Sequence, residues 1–177
     1  MPDHTAFSGE RLVASGSPAE VARAAWPLAR AGEPVLIFDE TARPVEIDFR
    51  GALEDVLARL EPPPAPARSP GRPKLGVTAR EVTLLPRHWT WLAGQPGGAS
   101  VALRKLVEEA MRSPAAERRA AQEAAYRFIS AMAGDRPGFE EAARALFAGD
   151  ANAFGAHSKE WPRDIRDYAG RLAAGAF

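Results

Sequence analysis

Six prolines fall within thirteen residues in "EPPPAPARSPGRP", 61–73. This stretch constrains the chain more than any other. Proline has no N–H to give to a helix or a ladder, and its fixed φ stiffens the backbone. Such a run reads as an extended, semi-rigid spacer that no helix or central strand crosses. The 177 residues are expected to divide into a unit at 1–61, a Pro-rich basic arm at 62–76, a central element at 77–112 and a C-terminal region at 113–177. Hydrophobic residues make up 46% of the chain, enough to build a core.

The first unit reads as small α+β, in the order ββαββα. "HTAF" and "RLVA" flank Ser8-Gly9-Glu10, which predicts a hairpin. Ser17-Pro18 is a cap followed by a first-turn proline, and Val21, Ala25 and Leu28 share one helical face. Pro27 is expected to strain that helix. "PVLIFD" (34–39) is a nearly all-apolar strand, and "DETAR" is a loop. "PVEIDFR" (44–50) alternates, with Val45, Ile47 and Phe49 on one side, and predicts a half-buried strand. Leu53, Val56, Leu57 and Leu60 pattern a closing helix. A unit this small is marginal alone and is expected to dock or dimerise.

The C-terminal region reads as helical hairpins. One helix covers 114–133, with Tyr126, Phe128, Ile129 and Met132. Phe139, Ala143, Leu146 and Phe147 mark a second that ends at Gly149. Asp150 caps a short piece around Phe154, and Trp161, Ile165, Tyr168, Ala169 and Leu172 pattern the last.

In "REVTLLPRHWTWLAGQPGGASVALRKLVEEA" (80–110) a short alternating run, Val82 to Leu85, stops at Pro86. Trp89, Leu92 and Ala93 then sit at i, i+3, i+4. Gly97-Gly98 permits a reversal, and Ser100 is placed to cap a longer helix whose stripe is Leu103, Leu106, Val107 and Ala110. A lone strand leaves its backbone groups unpaired. This order and spacing resembles the ribbon-helix-helix DNA-binding family. The resemblance implies that residues 80–85 pair with the same strand of a second chain, and that the two-stranded ribbon enters the major groove. It further implies that Glu81, Thr83 and either Ala79 or Leu85 face bases, and that the amides of Ser100 and Val101 hold a phosphate. Glu81 and Leu85 depart from what a phosphate-rich partner favours. The alternative is pairing of this strand with the N-terminal sheet. Over a wider span, "GRPKLGVTAREVTLLPRHWTWLAGQPGGASVALRKLVEEA", together with "TAF" and "LIFD", resembles the bacterial family DUF2239, which implies no established activity.

Charge is unevenly placed in a chain of zero net charge. Residues 1–61 hold 6 basic and 11 acidic groups, residues 68–112 hold 8 and 3, and residues 113–177 hold 9 of each. A basic middle attracts polyanions; its plainer role is to offset the acidic first unit. Gly71-Arg72-Pro73 is the centre of the AT-hook, a minor-groove motif, although Pro70 stands where a second arginine belongs. The candidate DNA contacts are Arg68, Arg72, Lys74, Arg80, Thr83, Arg87, Ser100, Arg104 and Lys105.

Nothing points to catalysis, a metal or a cofactor. There is no cysteine, which fits a reducing compartment and excludes disulfides and cysteine-ligated zinc. His4, His88 and His157 have no second histidine at i+3 or i+4. His157, near Asp150, Glu160 and Asp164, is the best of a weak set, and a cap or surface residue is its plainer role. The acidic residues around Asp39 and Asp48 read as a solvated strand face. Trp26 and Trp161 read as anchors, Trp89 as core of the central element, and Trp91 as needing another partner. No apolar run reaches the roughly 18–20 residues of a membrane span, and the N-terminus carries no secretory pattern. The expectation is a soluble, cytoplasmic, homodimeric DNA-binding protein without enzymatic activity. The competing expectation is a protein–protein adaptor, which Glu81 favours.

Overall fold

The computed structural model describes residues 4–61, 78 and 80–177. They form a mixed α+β fold, as the sequence predicts, with a small antiparallel sheet and eight α-helices among the described residues. Packing groups residues 1–61 with 114–177 as one unit, and 62–113 as a second. The chain therefore leaves one core, builds a second body, and returns to the first.

The sheet has strand order β2-β1-β3, from β1 (His4–Ser8), β2 (Arg11–Gly16) and β3 (Val35–Phe38). The hairpin expected at Ser8-Gly9-Glu10 joins β1 to β2, and a bulge between Ala6 and Phe7 shifts the register. Central β1 is covered on both faces. Ala6 and Ile37 pack with Val21 and Ala25 of α1 (Pro18–Arg30). Phe7 and Phe38 face the C-terminal helices. Ser17 and Glu20 form the capping box that starts α1: the Ser17 N–H donates to Glu20 Oε2 at 2.8 Å, and the Glu20 N–H donates to Ser17 Oγ. The helix runs on through Pro27 to Arg30.

The strand expected at 44–50 does not form. Only one bridge, Phe38 to Pro44, and the bond from Val45 N–H to the Ile37 carbonyl (2.8 Å) continue the ladder. Side chains take what the ladder needs. Asp48 Oδ1 accepts the Arg50 N–H, and the Arg59 guanidinium donates to the carbonyls of Asp48 and Arg50. Val45, Ile47 and Phe49 still pack on the α1 side of the sheet, so the alternation records burial without pairing. Helix α2 (Leu53–Leu60) follows, as predicted.

The C-terminal helices fall where the pattern places them. They are α5 (Pro114–Ala133), α6 (Phe139–Ala148), α7 (Ala151–His157) and α8 (Arg163–Ala173), with a short 3-10 turn at Ala174–Ala176. Gly149 ends α6 in the left-handed region, and the Asp150 carboxylate caps α7 by accepting the Ala153 N–H at 2.9 Å. Phe128 of α5 and Tyr168 of α8 meet Phe7 and Phe38 in one aromatic cluster; the Phe128–Tyr168 centroids lie 4.7 Å apart. Aromatic edges and faces attract at such distances, beyond simple area burial. Beside the β1–β2 bulge, the Leu12 N–H donates to Asp164 Oδ2 at 2.8 Å, tying β2 to the start of α8. The docking expected of the first unit is thus made by its own C-terminal helices.

Candidate nucleic-acid interface

The second unit contains α3 (Pro86–Ala93) and α4 (Gly98–Met111). Pro86 takes the first helical position, where its missing N–H costs nothing. Gly97 (φ +84°) and Gly98 (φ +75°) make the reversal between the helices, a conformation other residues adopt only with strain. One prediction shifts here. Gly97, and not Ser100, is the N-cap of α4, so Ser100 lies in the first turn.

Residues 80–85 form no strand; they are irregular and pair with no strand among the described residues. Leu85 enters α3 with extended backbone, φ −66° and ψ 150°, and its carbonyl accepts the N–H of His88 at 2.8 Å. Among the described residues the sheet consists of β1, β2 and β3.

The core of this unit is thin. Leu92 and Ala102 are buried, Leu103 is half-buried, and the rest of the expected stripe is not covered. Val82, Leu85, Trp89, Trp91, Leu106, Val107 and Met111 are between 42% and 70% exposed. Trp89, expected in the core, is among them, and so is Trp91, expected to need another partner. Leu106, Val107, Ala110 and Met111 form one continuous apolar face of α4. Seven large apolar side chains are thus left in water in one short segment.

Arg80, Thr83, Arg87, Ser100, Arg104 and Lys105 are all exposed. Arg68, Arg72 and Lys74 lie outside the described residues, as do Ala79 and the Gly71-Arg72-Pro73 tripeptide. Residues 80–112 carry five basic groups (Arg80, Arg87, Arg104, Lys105, Arg112) against three acidic ones (Glu81, Glu108, Glu109). None of these is in an ion pair among the described residues. His88 is exposed on α3 and accepts from Arg87 Nε at 3.5 Å, a long contact.

The histidine–carboxylate grouping considered near His157 is not assembled. Asp164 is committed to Leu12 and Asp150 to its helix cap. His157 lines a shallow cleft with Glu141 and Arg144. Among the described residues, no three His, Asp or Glu side chains converge as metal ligands would. Two carboxylates near the first unit's 39–43 turn, Asp39 and Asp48, serve local structure. Asp48 binds Arg50, and Asp39 Oδ1 accepts from the N–H and Oγ of Thr41 and from the Arg43 N–H. The Arg50 guanidinium holds the Asp48 carboxyl well below the usual range. At Asp39 desolvation pushes upward, but the bonds from Arg43 and Thr41 outweigh it and lower the pKa.

The family model described as "Uncharacterized protein conserved in bacteria (DUF2239)" matches residues 3–173. The chain belongs to the DUF2239 family. The match spans residues of both units. No curated protein and no solved structure matches the chain. Among the described residues, no helix of this DUF2239 protein is long and apolar enough to cross a membrane.

Proposed function

We propose that this DUF2239 protein is a homodimeric DNA-binding regulator of ribbon-helix-helix type. The observation that carries the reading is the uncovered apolar face of the central unit. The unit at residues 62–113 buries Leu92 and Ala102 among its described residues but leaves Leu106, Val107 and Met111 in water. Small units with no disulfide or metal gain stability from oligomerisation. A second copy is the occupant that suits both features at once. Its 80–85 segment supplies the missing strand, and its α4 covers the α4 stripe, making an isologous two-fold contact. Unpaired Arg80, Arg87, Arg104 and Lys105 then lie on the same body as the ribbon, with Arg68, Arg72 and Lys74 just upstream in sequence. Binding is mainly electrostatic and falls steeply with salt.

Light scattering with a fluorescence anisotropy titration tests this. The wild-type chain is expected to run as a dimer and to bind a labelled mixed-sequence duplex at about 50 mM salt, more weakly at about 150 mM. L106E/V107E alters an exposed face and is expected to give a monomer that no longer binds. R72A/K74A is expected to stay dimeric, with the salt slope shallower by about one for each phosphate it ceases to neutralise. A monomeric wild-type chain, or a dimer that binds no duplex at either salt, overturns the proposal; the second result leaves the adaptor reading.

A further inference from the structure

A separate feature lies wholly within the first unit. A cleft of about 480 Å³ opens between the turn after β3, helix α5 and helix α8. That volume is in the usual range for a small-molecule site. Three arginines reach it from distant parts of the sequence: Arg43, Arg127 and Arg171. Ala120, Ala121 and Ala124 supply an apolar floor from α5, and Leu172 an apolar wall.

The three arginines play different parts. Arg127 is committed to structure: it donates to Glu123 Oε2 and to the Thr41 carbonyl, each at 2.8 Å. It thereby neutralises one of the two carboxylates at the rim and fastens the 39–43 turn to α5. The Asp39 carboxylate, accepting three bonds, stiffens that turn from inside. Arg43 and Arg171 have no carboxylate within ion-pair distance among the described residues. The Arg171 guanidinium is held 4.9 Å above the ring of Tyr168, which the aromatic cluster fixes in turn. Two guanidiniums on a rigid frame, one of them pre-placed by stacking, suit planar recognition of a carboxylate. The lining carries three arginines against Glu40 and Glu123, an excess of one positive charge. That balance matches a monoanion; a dianion also meets the repulsion of Glu40.

We infer that this cleft binds a small organic monoanion, a carboxylate with a compact apolar body. The carboxylate pairs with Arg43 and Arg171 while the body lies on the alanine floor. The side chains of Ala120, Ala121 and Ala124 are short, and their shortness is what leaves the space.

The test is a two-dimensional NMR titration of the full chain with three probes: benzoate, neutral benzyl alcohol, and dianionic phenyl phosphate. Benzoate is expected to give saturable shifts confined to the amides of 40–43, 120–127 and 171–172. R171Q, on the exposed face of α8, is expected to weaken it by about tenfold. A120L, on an exposed helical position where leucine is well tolerated, is expected to do the same by filling the floor. Shifts that fail to saturate, or that survive both substitutions, overturn the inference. Equal binding of benzyl alcohol removes the role of charge. Tighter binding of phenyl phosphate removes the monoanion assignment.

Discussion

Replacing Phe128 by Ala tests whether the two sequence-distant halves of the first unit are one cooperative body. Phe128 is fully buried, with its ring 5.3 Å from Phe7, 5.3 Å from Phe38 and 4.7 Å from Tyr168. Removing a buried phenyl costs about 3–5 kcal/mol in transfer and cavity terms together. The surrounding rings belong to β1, β3 and α8, which are fixed by the sheet ladder and by the Leu12–Asp164 bond, so little collapse can refill the space. The destabilisation is therefore placed at about 4 kcal/mol. Native-state hydrogen exchange reads it site by site. A destabilisation of about 4 kcal/mol speeds globally protected amides by about a thousandfold. The amides of Ala6 and Phe7 in β1 and of Tyr168 and Ala169 in α8 are expected to accelerate by the same factor. F128L, which keeps most of the volume, is expected to cost about 1.5 kcal/mol and accelerate both sets about tenfold. Faster exchange in α8 with β1 unchanged, in either variant, refutes the idea of a shared core.

Two smaller tests address the backbone and the turn. Gly138 sits at φ +80°, and a Cβ there falls on the backbone carbonyl of His157, so Gly138→Ala is expected to cost about 3 kcal/mol. Gly155, inside α7 with open space around it, is expected to gain a few tenths to about 1 kcal/mol as Ala; thermal denaturation of the two variants checks both signs. The Asp39 pKa is lowered from its ordinary 3.8, so its carboxylate stabilises the fold above that value. That contribution is lost as pH falls through the lower folded pKa. Urea midpoints of the wild type and Asp39→Asn are therefore expected to differ above about pH 4 and to converge at lower pH.

The C-terminal helices were legible because each carried several agreeing signals. In α6 the stripe of Phe139, Ala143 and Leu146 ends at Gly149, and Asp150 immediately caps the next helix. The 44–50 segment carried one signal only. Alternation of Val45, Ile47 and Phe49 reports which side is buried, and says nothing of where the backbone bonds go. Asp48 and Arg59 claim those bonds, and that competition depends on α2 returning to the segment. Ser100 was a reasonable cap by residue type, but two positive-φ glycines let α4 begin before it. The arginine cleft left no trace in the sequence. Arg43, Arg127 and Arg171 lie far apart in the sequence, and only the packing of the turn after β3, α5 and α8 brings them to one cleft.

The α4 stripe shows a different limit. Leu103, Leu106, Val107 and Ala110 predict a face that must be covered, and the prediction concerns the face alone. Periodicity measures the cost of leaving apolar groups in water; it does not specify whose atoms remove the water. In the first unit the chain itself supplies them: α5 and α8 return across more than a hundred residues to bury Phe7. In the second, 80–113 supply a covering for Leu92 and Ala102 only. Its exposed set includes two tryptophans, residues of large area and few rotors that bind partners at low entropic cost. The segment is inserted in sequence between two halves of a well-built core, yet it carries both of its tryptophans and most of its large apolar groups outside. That arrangement, and not the charge of the central segment, is the stronger physical reason to look for a dimer first and for DNA second.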